Sequence, residues 1–459
     1  MDDVIFAPAH RIAAAIRGRT TSAVEVLEAH LAQIERHNPS LNAIVTLDAE
    51  GARARAHAAD EAVDRGRPWG PLHGVPVVLK DGHETGGMRT VVGMEDHADH
   101  VPAADGAVAA RLKAAGAIIL GKTNVPPRLR GVQSDNPVFG RTNNPWALDR
   151  TPGGSSGGAA AAVAAGLAPL DIGSDLGGSI RFPAHLCGVY GFKPTERAVS
   201  LAGHLADPPG MTRNFRIMFS HGPLARDVDD LAFALRIIAG PDGRDFEVPG
   251  MPLPEPAPVR LKDLRVAFAP SFPDAPVAAS IAAEVERFAA ALVGEVGRVA
   301  PALPEFDFAA ARTLFSELTD GLSFAIYPPK DGVPPLSLHG FLDLLDRRDA
   351  AIAAWERFFE EWDVLLCPPA MRTAFPHCPV GTPLPVDGVE QPYWSLLDYT
   401  CPFNLTGAPA GVMPVGFDGD GLPIGLQVAG RRWDDFRVLA IMKLLAERTP
   451  GFVRPPGFG

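Results

Sequence analysis

Cysteine is scarce in this chain: there are four in 459 residues, and none falls in a Cys-x-x-Cys or zinc-type spacing. That argues against a disulfide framework or a structural zinc site as the basis of the fold. Cys187, Cys367, Cys378 and Cys401 sit mostly in apolar surroundings and read as buried free thiols. Positive charge is also short, with 42 Lys and Arg against 54 Asp and Glu and no basic run. A formal charge of −12 makes nucleic-acid phosphates and anionic lipid unexpected partners. No stretch approaches 18 uninterrupted apolar residues, so no membrane span is expected. The opening Met1-Asp2-Asp3-Val4 lacks the basic and apolar regions of a signal peptide, and a cytoplasmic setting is expected.

Two chemical patterns are missing as well. No Gly-x-Ser-x-Gly elbow occurs, and no histidine stands in a context that suggests a Ser-His-Asp triad. His83, His97 and His100 do not follow metal-ligand spacing and read as solvated loop histidines. No metal and no cofactor are therefore expected. Apolar residues at 46% and charged residues at 21% are ordinary for a globular protein and supply a sizeable core. Length alone suggests two or three domains.

What the chain does have is serine set in glycine. Thr151-Pro152-Gly153-Gly154-Ser155-Ser156-Gly157-Gly158 is followed, after an alanine-rich run, by Asp175-Leu176-Gly177-Gly178-Ser179-Ile180-Arg181. Either block alone reads as a turn. Together they read as a site, because glycine costs conformational entropy and is kept where the backbone must take φ > 0 or come close to something. A serine hydroxyl needs a base. Lys80, at the end of the apolar run Val75-Pro76-Val77-Val78-Leu79, is the available candidate. Burial at a strand tip disfavours its ammonium form, so it can be neutral near pH 7 and accept a proton.

Lys80, Gly-Gly-Ser-Ser-Gly-Gly, and Gly-Gly-Ser-Ile-Arg-Phe-Pro with Ser179 placed 24 after Ser155 resemble the amidase signature family. So do Gly121-Lys122-Thr123-Asn124, Arg141-Thr142-Asn143-Asn144-Pro145-Trp146, Gly188 to Thr195 and Gly421 to Gln427. The resemblance implies Ser179 as nucleophile, Ser155 as bridging serine and Lys80 as base, with a cis Gly154–Ser155 peptide. The backbone amides of Leu176, Gly177, Gly178 and Ser179 are the expected oxyanion donors. Ser156, Asp175 and Arg181 are expected to fix the loops around them. Gln133, Thr400 and Asn404 are candidate substrate contacts.

Alternating strand and helix patterns argue for an α/β sheet with helices on both faces. The resemblance makes it one unit, 1–459, around a central twisted mixed sheet, with a catalytic core at 75–200 and a variable, lid-like insertion at 241–392. A capping box at Ser22 opens a helix stopped by Pro39, with a strand at 41–45 and a helix at 52–65. Ala159 to Ala168 reads as a small-residue helix, and Asp349 to Trp362 as a core helix with an aromatic stripe. Loop 200–219 is a candidate specificity segment, 315–345, with Phe324 and Tyr327, is a candidate pocket wall or lid, and the sequence assigns no role to loop 82–100.

The resemblance implies hydrolysis of carboxylic amides through an acyl-enzyme, with carbamates (urethanes), anilides and esters open to the same route, by a monomer or homodimer. Apolar pocket segments lean towards an uncharged acyl group. Two rivals stand beside this reading: the amidase component of a tRNA-dependent amidotransferase complex, and an inactive binding protein on the same fold.

Overall fold

The computed structural model describes residues 4–204, 216–324 and 336–458. Tyr327 and the central parts of loops 200–219 and 315–345 lie outside the described residues. Short runs such as Val77-Val78-Leu79 and Ile118-Ile119-Leu120 are buried along their whole length, as strands covered on both faces must be. Among the described residues eleven strands form one mixed sheet, in the spatial order Ile44–Leu47, Ile118–Thr123, Pro76–Lys80, Leu170–Asp175, Ser220–Ala225, Tyr190–Lys193, Ala410–Phe417, Pro423–Ala429, Val364–Cys367, Arg265–Phe268, Arg298–Pro301. Pro76–Lys80 runs parallel to both of its neighbours, while Leu170–Asp175 and Ser220–Ala225 are antiparallel, with Ser174 opposite His221. Helices cover the sheet.

The segment 241–392, read from sequence as an insertion, supplies three strands to the far edge of this sheet. Its helix Leu338–Glu361 buries Trp355, Phe358 and Phe359 among Phe272, Phe308, Tyr399 and Phe403, so the aromatic stripe is core. The helix Gly157–Ala164 is buried throughout. It ends four residues earlier than the alanine run suggests, because Gly166 turns the chain with φ 72°.

Several boundaries differ from the sequence reading. The capping box is present, with Glu25 N donating to Ser22 Oγ at 3.0 Å and Ser22 N to Glu25 at 2.8 Å. Pro39 does not stop that helix, which continues to Leu41. Proline costs one donor and leaves the following residues free to stay helical. The stop is Asn42 at φ 52°, with Asn38 Oδ1 accepting from the amides of Ala43 and Ile44 at 2.9 Å each. The next strand accordingly begins at Ile44, and the next helix spans Ala49–Asp64.

A helix absent from the sequence reading, Ala9–Arg17, has no local side-chain cap. Its first amides donate instead to the carboxylate of Asp230, Ala9 N at 2.6 Å and His10 N at 2.9 Å. The cap is supplied across the fold. Asp230→Ala is expected to cost on the order of 1–3 kcal/mol, since it orphans buried donors. Urea denaturation checks the cost, and amide hydrogen exchange over residues 9–17 should speed up more than elsewhere.

Candidate active site

The strand Pro76–Lys80 ends on a lysine with no exposed surface. Lys80 Nζ donates to Ser155 Oγ at 2.7 Å and to the Ser174 carbonyl at 3.1 Å. Its backbone amide donates to Asp171 Oδ1 at 3.0 Å. Burial lowers the lysine to about 7, although the charges of Asp175 and Asp171 pull the other way. Removed from water, and with no ion pair among the described residues, the amine is held near the point where it is neutral half the time.

Ser155 lies in the glycine block, after a cis Gly154–Ser155 peptide. A Cβ at Gly154 would stand 2.8 Å from both Gln133 N and Gly131 O, so only glycine lets the block approach that loop. Ser134 Oγ donates to the Gly153 carbonyl and accepts from Gly157 N, each at 3.0 Å. Ser156 ties the two serine blocks together: its amide donates to the Ser179 carbonyl at 3.1 Å and its hydroxyl to the Ser174 carbonyl at 3.3 Å. Ser179 itself is half-buried.

The loop carrying Ser179 is built around one buried ion pair. Asp175 accepts from Gly178 N at 2.8 Å, Ile180 N at 3.0 Å and both Arg181 Nη2 and Nε at 3.0 and 3.1 Å. Burial alone would raise this carboxyl, but Arg181 outweighs it and holds Asp175 well below the usual carboxylate range. Arg181 in turn donates through Nη1 to the Thr400 carbonyl at 3.0 Å and Gln427 Oε1 at 2.8 Å, and through Nη2 to Asn404 Oδ1. At Gly178 φ is +125°, and a Cβ would stand 2.4 Å from Thr400 Oγ1. The loop therefore fits only with glycine there.

The candidate oxyanion amides differ from one another. Gly178 gives its N–H to Asp175. Those of Leu176, Gly177 and Ser179 meet no acceptor among the described residues.

The three candidate substrate contacts are all tied to the protein. Thr400 Oγ1 donates to the Gly177 carbonyl at 2.6 Å. Asn404 Nδ2 donates to Asp175 Oδ1 at 2.9 Å and to the Met218 carbonyl at 3.0 Å. Gln133 donates to the Cys378 carbonyl at 2.7 Å and Tyr393 OH at 3.0 Å, and accepts from Cys378 N at 3.3 Å. Gln427, named only as the end of a family-like motif, joins the site, as do Ser134, Ser174 and Asp171, to which sequence reasoning gave no role. A carboxylate inside an apolar strand is the available signal for Asp171. Phe315, from the helix Phe308–Phe324, closes on Gly177, and Leu176, Ile217 and Met218 extend the apolar surface. His83, expected as a solvated loop residue, is instead buried at 2% exposure, because the turn after Lys80 packs beneath His204 and His221. Among the described residues no group of three or more His, Cys, Asp or Glu is arranged to hold a metal ion, and no helix is long and apolar enough to cross a membrane.

A family model described as Amidase matches residues 25–322 and 339–439. The chain is 35% identical to a glutamyl-tRNA(Gln) amidotransferase component of Roseiflexus sp., covering 96% of each. It is 34% identical to a putative amidase, AmiB2, of Mycobacterium tuberculosis, covering 99% of this chain and 98% of that one. A solved structure of 6-aminohexanoate cyclic dimer hydrolase with substrate superposes with a TM-score of 0.81 at 27% identity, covering 99% of both chains.

Asp175→Asn would leave Arg181 buried without its anion. Loss of one partner of such a pair is expected to destabilise the fold by about 3–5 kcal/mol, read as a fall in the urea denaturation midpoint.

Proposed function

The chain belongs to the amidase signature family and is an amide-bond hydrolase, and from that premise we propose that it cleaves the C–N bond of uncharged carboxylic amides through a Ser179–Ser155–Lys80 relay. The observation that carries the relay is the buried Lys80 amine, 2.7 Å from Ser155 Oγ and lowered to about 7. In the acylation step neutral Lys80 takes the Ser155 proton while Ser155 takes that of Ser179. Ser179 Oγ bonds to the substrate carbonyl carbon, and the π pair moves onto oxygen. The amides of Leu176, Gly177 and Ser179 receive that oxyanion, and one such donor is typically worth roughly 3 kcal/mol. Gly178's amide instead holds the loop in shape through Asp175.

Collapse of the tetrahedral adduct breaks the C–N bond as the proton on Lys80 returns through Ser155 to the departing nitrogen. Amines leave poorly as anions, so this returned proton suits the relay to amides. Water then attacks the acyl-enzyme by the same proton path, and Ser179 is regenerated. Carbamates, anilides and esters present the same carbonyl and are expected to react. The apolar surface of Leu176, Met218 and Phe315 supports an apolar acyl group. Thr400 and Asn404 act in this scheme by fixing the Gly177 and Asp175 positions, and Gln133 by tying its loop to residues 378 and 393.

One observation favours a second reading, the glutaminase component of an amidotransferase. Arg312 and Asp398 lie 3.8 Å apart beside Leu397, which abuts Gly177, and an opposite-charge pair can hold the head group of an amino acid. Glutaminase assay and co-purification of a partner separate the two.

Ser179→Ala is expected to abolish turnover of every substrate; more than a few per cent retained contradicts the nucleophile assignment. The base must be unprotonated, so kcat/KM should rise with pH through about 7 and level off above it. Lys80→Ala should lose most activity and that inflection, recovering only towards high pH where hydroxide replaces the base. A panel of p-nitroanilides, aryl carbamates and primary amides compared by kcat/KM ranks the substrate classes.

A further inference from the structure

Met218 holds an unusual backbone near the loop that carries Ser179. Its φ is +65°, in the left-handed region that suits glycine and is an outlier for a bulky side chain. Such a conformation persists only where the surroundings impose it, and it clusters where function needs it. Met218 stands two positions before the strand Ser220–Ala225, whose Ser220 pairs with Asp175 at the end of Leu170–Asp175. It therefore lies beside the point where the Ser179 loop leaves the sheet.

Both backbone groups of Met218 are gripped by buried side chains. Its N–H donates to Glu196 Oε2 at 2.9 Å. Its carbonyl accepts from Asn404 Nδ2 at 3.0 Å, and the same nitrogen donates to Asp175 Oδ1 at 2.9 Å. Asp175 in turn accepts from Gly178 N and Ile180 N, on either side of Ser179. Glu196 is itself braced: Oε2 also accepts from Arg348 Nη2, Arg197 Nε lies 3.7 Å from Oε1, and its backbone amide donates to the Gly407 carbonyl at 3.0 Å. Arg348, on the helix Leu338–Glu361, donates through Nε to the Leu405 carbonyl, next to Asn404, at 2.7 Å. Glu196 is 2% and Arg348 7% exposed, so the pair carries the desolvation cost of buried charge. Hydrogen bonds thus run without a gap from Arg348 through Glu196, the Met218 backbone and Asn404 to Asp175.

We infer that Glu196 is a positioning residue: braced by Arg348, it keeps Met218 in the left-handed conformation and so holds Asn404 against Asp175 and the loop that bears Ser179. This rests on the reading of Ser179 as nucleophile. Met218 relaxed to an ordinary negative φ would turn its carbonyl away from Asn404, and a small displacement of a reacting group is costly to rate.

The test uses the whole chain and one p-nitroanilide, with active sites titrated by a serine-reactive phosphonate so that kcat is counted per competent site. Glu196→Gln and Glu196→Leu are each combined with Arg348→Met, which leaves no buried charge; Gln still offers Met218 N an acceptor and Leu does not. The Leu variant is expected to have a kcat about tenfold or more below that of the Gln variant, at a KM within about threefold. Glycine takes a left-handed φ freely, so adding Met218→Gly to both should shrink the gap to about threefold or less. A merely structural role would lower the titratable fraction and leave kcat per site unchanged. Glu196→Asp keeps the charge for Arg348 but draws the carboxylate back from Met218 N; it should show the same loss, and it provides the comparison if the paired variants do not fold. Equal kcat per site for Gln and Leu, a wild-type kcat for Asp, or a gap undiminished by Met218→Gly overturns the positioning role alone. A wild-type enzyme that the phosphonate does not label, or a Ser179→Ala enzyme that still turns over, overturns the nucleophile reading and this inference with it.

Discussion

Arg181 and Asp175 are both fully removed from solvent, and the desolvation of two charges is repaid only when every remaining donor and acceptor is used. The site is arranged around meeting that demand. Asp175 takes the amides of Gly178 and Ile180, and so bends the chain on both sides of Ser179. Arg181 takes the Thr400 carbonyl, Gln427 and Asn404. The glycines of the loop have no side chains with which to hold a shape. Its conformation is imposed by the hydrogen-bond requirements of the charge pair at its two ends.

The amine end works by the opposite logic. Lys80 has a serine hydroxyl and a carbonyl within hydrogen-bond reach, and among the described residues no carboxylate makes a salt bridge to it. Asp171, nearby on the adjoining strand, is itself pushed up to about 7 by burial, against hydrogen bonds from Thr123 and the Lys80 amide that favour its anion. Both groups are thereby biased towards their neutral forms, the lysine down and the aspartate up. A close ion pair would have fixed the lysine as ammonium and ruled out its proposed role as a base. One site thus contains an ion pair kept fully charged and, a strand away, an amine kept close to neutral, and the difference is which partners each side chain was given.

Much of this is legible in the residues, within limits set by distance along the chain. Glycine-set serines and a lysine at the tip of an apolar strand declare themselves locally, and the structure brings Lys80 against Ser155. The capping box at Ser22 is equally plain. Partners far apart in sequence are not. Thr400 and Asn404 read as substrate contacts because nothing in their neighbourhood names Gly177 or Asp175, more than 220 residues earlier. The first helix is hidden from a local reading because its cap is Asp230. His83 looks solvated in a polar stretch, and only the pairing of Ser220–Ala225 with Leu170–Asp175 places a second imidazole over it.

The order in which these parts leave the ribosome follows from that wiring. Lys80, Ser155 and Ser179 all lie in the first two-fifths of the chain, yet the groups that shape the loop carrying Ser179, Thr400, Asn404 and Gln427, are among the last to be made. A nascent polypeptide would carry all three proposed catalytic side chains for most of its synthesis without the scaffold that aims them. If the proposed relay operates, competence is expected only once the carboxy-terminal strands join the sheet, and an incomplete translation product is expected to be silent rather than a half-working hydrolase.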